Sequence, residues 1–148
     1  FLGANMDLNI VKRLIELADQ ALKIGDSPVS AIIVKDDEII YQAYNTRNIT
    51  NNTLDHAEIK AIASANEILK SWRLNNCSLY VTIKPCEMCE SVIKEARIAN
   101  VYYLIDRLEE KKQHNRTNIT ELSDDYIIYK ESYNKKVSEF WKSIRKKD

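Results

Sequence analysis

Residues 77–89 read Cys77-Ser78-Leu79-Tyr80-Val81-Thr82-Ile83-Lys84-Pro85-Cys86-Glu87-Met88-Cys89. Residues 78–83 alternate as a β-strand. Pro85 then opens a helix to residue 96, since proline is favoured in the first helical turn. Cys86 and Cys89 are three apart on that helix, so both sulfurs point the same way. A helix N-terminus carries partial positive charge, which lowers a thiol pKa and favours the thiolate that a metal ion needs.

A second segment belongs with the first. His56-Ala57-Glu58 stands at the start of another predicted helix, residues 55–69, with Ile59, Ile62, Ala63 and Leu69 on one side. One helix and one strand separate the two segments, so both helix starts fall at the same edge of a sheet. His56 then supplies a third ligand. One imidazole and two thiolates suit zinc, one ion per chain, and three protein ligands leave a fourth position for water, as catalytic sites do. Glu58 lies close enough to His56 to manage the proton of that water. Plainer readings exist for each piece. Asp55 and Glu58 have the spacing of a helix capping box, and an isolated Cys-x-x-Cys can be redox-active or incidental. The two segments together, in this order and at helix starts, favour a catalytic zinc site. Cys77 reads as a core thiol, and His114, with no ligand-spaced neighbour, as a solvated loop residue.

The rest of the chain supports one α/β domain. Residues 7–24 carry Leu8, Val11, Leu14, Ile15, Ala18, Ala21 and Leu22 at helical spacing, and Gly25 ends that helix. Residues 29–34 and 39–44 read as two strands of a hairpin around Asp36-Asp37. Residues 45–53 are loop-like, 101–105 a strand, and 106–123 polar and poorly patterned. Residues 126–130 read as a last strand. Tyr133, Val137, Phe140, Trp141 and Ile144 mark an amphipathic C-terminal helix. An initial hairpin followed by alternating helices and strands implies an α/β sandwich around a mixed sheet of about five strands.

Length and composition agree. The 148 residues suffice for one domain with a real core. With 45% hydrophobic and 30% charged residues, intrinsic disorder is not the expectation. No stretch approaches the roughly 20 apolar residues of a membrane-spanning helix. Residues 1–5 precede Met6 and read as an expression remnant, with the domain over 6–148; no secretory signal is expected. The three cysteines fit a reducing compartment rather than a disulfide framework. Net charge is zero, with 22 basic and 22 acidic residues, which does not point to a strongly basic nucleic-acid binder. Residues 130–148 nevertheless hold seven basic and three acidic residues, an excess of +4.

His-x-Glu followed by Pro-Cys-x-x-Cys is the signature of zinc-dependent nucleobase deaminases. The chain resembles the bacterial-type tRNA-specific adenosine deaminases over roughly residues 8–105. The resemblance is carried by 27–34 (Ser-Pro-Val-Ser-Ala-Ile-Ile-Val), Tyr44-Asn45, His56-Ala57-Glu58, Ser71-Trp72-Arg73-Leu74, 77–82 and 85–89. The zinc motifs are shared with deaminases of cytosine, guanine, cytidine and deoxycytidylate; the Trp-Arg-Leu segment and the Leu-Tyr-Val-Thr strand tilt the match. The resemblance implies a cytidine-deaminase-like three-layer α/β/α sandwich, a homodimer, a cytoplasmic setting and a tRNA anticodon stem-loop as partner. It implies that His56, Cys86 and Cys89 bind zinc, that Glu58 shuttles protons, that Asn45 hydrogen-bonds the purine and that Pro28 and Val29 line the base pocket. The implied reaction is deamination of adenosine to inosine at the wobble position. Alternatives are a deaminase of free guanine or cytosine and a non-catalytic RNA-binding subunit; the presence of Glu58 argues against the latter. Beside such a site, the basic side chains Lys142, Arg145, Lys146 and Lys147 are candidate phosphate contacts.

Overall fold

The computed structural model describes residues 4–107 and 119–145. Helix α1 (Ala4–Lys23) leads into strands β1 (Ser30–Lys35) and β2 (Glu38–Tyr44). A short helix α2 (Arg47–Thr50) and helix α3 (Ala57–Leu69) follow, then β3 (Cys77–Ile83), α4 (Glu87–Glu95), β4 (Asn100–Ile105), β5 (Ile119–Glu121) and α5 (Ile127–Arg145). No described helix is long and apolar enough to cross a membrane.

The expected hairpin is present. Lys35 pairs with Glu38, and the two turn residues, Asp36 and Asp37, both have positive φ, 51° and 63°. A two-residue turn of that hand matches strand twist, and aspartate tolerates the left-handed region better than most residues. The sheet order is β2-β1-β3-β4-β5. Strand β1 is antiparallel to both neighbours, so β2 and β3 run in the same direction. Strand β4 is parallel to β3, and β5 to β4.

Alternation along the strands builds two cores. Ala31, Ile33, Leu79, Val81 and Val101 face Ala57, Ala61, Ala65 and Ile93 of α3 and α4. Ile32, Val34, Tyr80 and Leu104 face Ile10, Val11, Leu14 and Ala18 of α1 and Tyr133 and Val137 of α5. Helices thus cover both faces, which is the expected three-layer sandwich. Central β1 is buried from Ser30 to Val34, as a strand covered on both sides must be.

The C-terminal third differs from the sequence expectation. Residues 126–130 are not a strand: Asp124–Tyr126 forms a 3-10 turn, and α5 begins at Ile127. Ser123 precedes that turn and its side chain accepts from the Asp125 N–H, a helix-start device. The buried residues Lys130, Tyr133, Val137 and Phe140 recur at helical spacing. This period outweighs the β-propensity of the Tyr126-Ile127-Ile128-Tyr129 run. The last strand lies earlier, as three-residue β5, within the segment that reads as unpatterned. His114 lies outside the described residues.

Helix α5 is tied to the front of the sheet. Tyr133 is fully buried, and its hydroxyl donates to the Pro28 carbonyl. Burial pushes the Tyr133 phenol above its ordinary pKa, so it remains a donor. Tyr133→Phe keeps the ring and leaves that buried carbonyl without its donor. We expect a loss of about 1–3 kcal/mol in urea unfolding, with zinc content unchanged.

Candidate metal and catalytic centre

Because β2 and β3 run the same way, the helices that follow them start at the same sheet edge. His56 is the N-cap of α3 and Cys86 the N-cap of α4, each in extended conformation. Pro85 therefore sits just before the cap rather than inside the helix. Asp55 does not cap α3: its carboxylate accepts from the Thr50 hydroxyl at 2.6 Å. The capping-box reading of Asp55 and Glu58 is thus set aside.

The ligand candidates converge. His56 Nδ1 lies 3.6 Å from Cys89 Sγ and 3.9 Å from Cys86 Sγ, and all three ligand atoms fall within 4.8 Å of one another. Zn–S bonds of about 2.3 Å and Zn–N bonds of about 2.0–2.1 Å at tetrahedral angles place S and N about 3.6 Å apart. The observed spacings fit one zinc ion. Cys77 is fully buried at the opposite end of β3 and takes no part, as expected.

The electrostatics are those of a site built to hold a dication. The Cys89 thiol donates to Cys86, and this hydrogen bond above all lowers Cys86 to about 5 against the opposing effect of burial; His56 and Arg107 help. The same bond, with burial, pushes Cys89 upward. The pair shares one proton between two thiols, and a bound cation releases it. Glu58 is 2% exposed. Burial raises its carboxyl to about 7, with its own backbone N–H opposing and the Cys86 charge adding to the rise. Its Oε1 has no hydrogen-bond partner. A buried, unpartnered carboxylate oxygen beside three metal ligands is the group that serves a proton-transfer reaction.

Around this centre the other expected residues take separate places. Asn45, 4% exposed, accepts the Ala57 N–H on Oδ1 at 2.9 Å and gives Nδ2 to Asp26 at 3.3 Å. It therefore holds the first residue of α3, between His56 and Glu58. Pro28 is buried and Val29 half-buried, and the Asn45 N–H donates to the Val29 carbonyl at 2.9 Å. Pro28 and Val29 thus flank Asn45 at the metal edge. Lys142 and Arg145 are exposed near the end of α5. They stand about 13 and 18 Å of helix rise beyond Tyr133, away from that edge, whereas Lys146 and Lys147 lie outside the described residues. Sequence reading missed Asp26 and Arg107. Arg107 Nε donates to the Lys84 carbonyl at 2.9 Å, and its charge acts on both Cys86 and Glu58. Neither belongs to a motif; only the fold brings them here.

Fold, ligand set and proton-transfer carboxylate define a zinc-dependent deaminase domain. Residues 4–105 match the cytidine and deoxycytidylate deaminase zinc-binding region, and the chain belongs to that family. A tRNA-specific adenosine deaminase of Streptococcus pyogenes serotype M18 is 43% identical over 86 residues, 58% of this chain and 54% of its own length. The match thus spans about half the length of the curated streptococcal relatives. A guanine deaminase of Bacillus subtilis is 35% identical over 123 residues, 82% of this chain and 73% of its own. A structure from work on A-to-I editing by tRNA:A34 deaminases superposes with a TM-score of 0.66 at 28% identity, covering 73% of this chain and 87% of that one.

Replacing Cys86 with alanine should remove most of the zinc from purified protein, by about 10-fold or more in affinity. Cys77→Ala should retain it. Elemental analysis of both variants checks the ligand set.

Proposed function

We propose that this chain converts adenosine to inosine at the wobble position of tRNA by zinc-dependent hydrolytic deamination, with one zinc ion per chain on His56, Cys86 and Cys89. The observation that carries deamination is the orphaned Glu58 oxygen beside the ligand triad. The tRNA substrate is favoured by the 43% identity to a tRNA-specific enzyme across the segment that holds both motifs. An anticodon stem-loop as partner, a homodimer as the assembly and the cytoplasm as the place of action accompany this reading.

Bound zinc supplies Lewis acidity and makes water a competent nucleophile at neutral pH. The protein's own groups do the remainder. Glu58 accepts a proton from the attacking water and delivers one to N1 of the purine. Water adds at C6, ammonia leaves from C6, and Glu58 carries the proton that the departing amine requires. Burial keeps this carboxyl near neutral pH, where it can both take and give a proton. Asn45 offers an amide N–H to an acceptor on the base, and Pro28 and Val29 form the apolar wall beside it.

A guanine deaminase is the second reading, favoured by the 35% identity over 82% of this chain. Transcribed tRNA should yield inosine at the wobble position while free guanine and cytosine release no ammonia. The reverse result would select the second reading. Glu58→Ala should keep zinc and fold but lose turnover by about 10²–10⁴-fold; an unfolded variant with normal turnover per folded molecule would assign Glu58 a structural task.

The basic end of α5 is proposed to meet phosphates remote from the reacting base. Changing Lys142, Arg145, Lys146 and Lys147 together to Gln should weaken tRNA binding and flatten its salt dependence, about −0.7 to −0.9 in slope per phosphate lost. An anticodon stem-loop should be affected less than full tRNA. An unchanged salt slope would leave this face a solvated surface.

A further inference from the structure

Asp26 follows the end of α1. Gly25, at φ +85°, lets the chain turn, and the Asp26 N–H bonds back to the Ala21 carbonyl at 2.9 Å. Its carboxylate is fully buried, with no cation paired to it among the described residues. It is satisfied by N–H groups instead. Oδ1 accepts from the Ser27 N–H at 2.9 Å and from Asn45 Nδ2 at 3.3 Å. Oδ2 accepts from the N–H groups of Asn48 at 2.9 Å and Ile49 at 3.3 Å. An ionised carboxylate offers about four acceptor sites, and these four bonds occupy them.

The arrangement removes any ambiguity about Asn45. A carboxylate can only accept, so the Asn45 group facing Asp26 is the NH₂. The Ala57 N–H needs an acceptor, so the carbonyl end faces α3. One Asn45 N–H is left over, and its direction is set from both sides. The chain Asp26–Asn45–Ala57 therefore reaches the backbone between His56 and Glu58, while the Asn48 and Ile49 bonds pin α2 to the same carboxylate.

We propose that Asp26 is the positioning residue of the metal centre. It orients the Asn45 amide, which holds the His56 turn of α3 and presents one N–H to an acceptor on the base. The base-facing half rests on the deaminase reading above; the metal-holding half does not.

The test uses the zinc-loaded protein and follows zinc release to a chelator. Asp26→Asn sets an NH₂ against N–H donors whichever way it turns. Asn45→Asp sets two carboxylates against each other. Each should release zinc faster by about 10-fold or more, the scale of groups that orient metal ligands. In the swap D26N/N45D, residue 26 again donates to residue 45, whose other oxygen again accepts the Ala57 N–H. Zinc release should return most of the way to wild type. Turnover of whichever substrate the wild type consumes should stay low, because residue 45 then has no N–H for the base. Wild-type zinc release in both single variants, or a swap no better than the worse of them, overturns the proposal. Turnover restored in the swap overturns the base-facing half. If the single variants fail to fold, the swap decides alone: folded and zinc-retaining supports the proposal, and unfolded refutes it. A wild type that deaminates nothing refutes the deaminase reading, while zinc release still decides the role of Asp26.

Discussion

Three ligand atoms from residues 30 and 33 positions apart must come within 4.8 Å of one another, and the sheet is arranged so that they do. Strand β1, antiparallel to both β2 and β3, makes those two strands parallel in direction although they never touch. Helices α3 and α4 therefore begin side by side, with His56 and Cys86 at their N-caps. Both positive helix ends point at one spot. Reversing either strand would send one ligand to the far edge, where Cys77 sits in the core.

The same edge concentrates buried charge that would be costly elsewhere. Two thiols share a proton, and Glu58 carries an unpartnered oxygen in a site closed to solvent. A dication relieves the first, because both sulfurs can then ionise, and gives the second a neighbour. Asp26 solves a similar problem by other means. It spreads one buried charge over four N–H donors, and so joins the end of α1, the α2 turn and the start of α3. Stability and chemistry meet in these few residues. The frame that satisfies a buried carboxylate is also the frame that aims the ligands.

Helix α5 shows how local signals can mislead. The Tyr126-Ile127-Ile128-Tyr129 run has strand-like composition, yet Ile127 and Ile128 are exposed. The burial that matters is spaced for a helix, through Lys130, Tyr133, Val137 and Phe140. Lys130 is the revealing member. A lysine reads as a surface residue, but here it is 5% exposed and binds the Glu121 carboxylate at 3.1 Å, joining β5 to α5. Its partner lies on a strand of only three residues, too short to announce itself by pattern.

The sequence by itself determined the ligands, the proton carrier, the hairpin and the three-layer class. Each rests on short-range features: cysteines three apart on a helix, His-x-Glu at a helix start, two turn aspartates, and apolar periods of 2 and 3.6. Only the tertiary structure decided where β5 lies, that 126–130 is helical, and that Asp26, Arg107 and Tyr133 bear on the site. Those roles depend on partners 19 to 105 positions away. A hydrogen bond of that span leaves no periodicity in the chain, because it is set by how strands are ordered and not by which residues are neighbours in sequence.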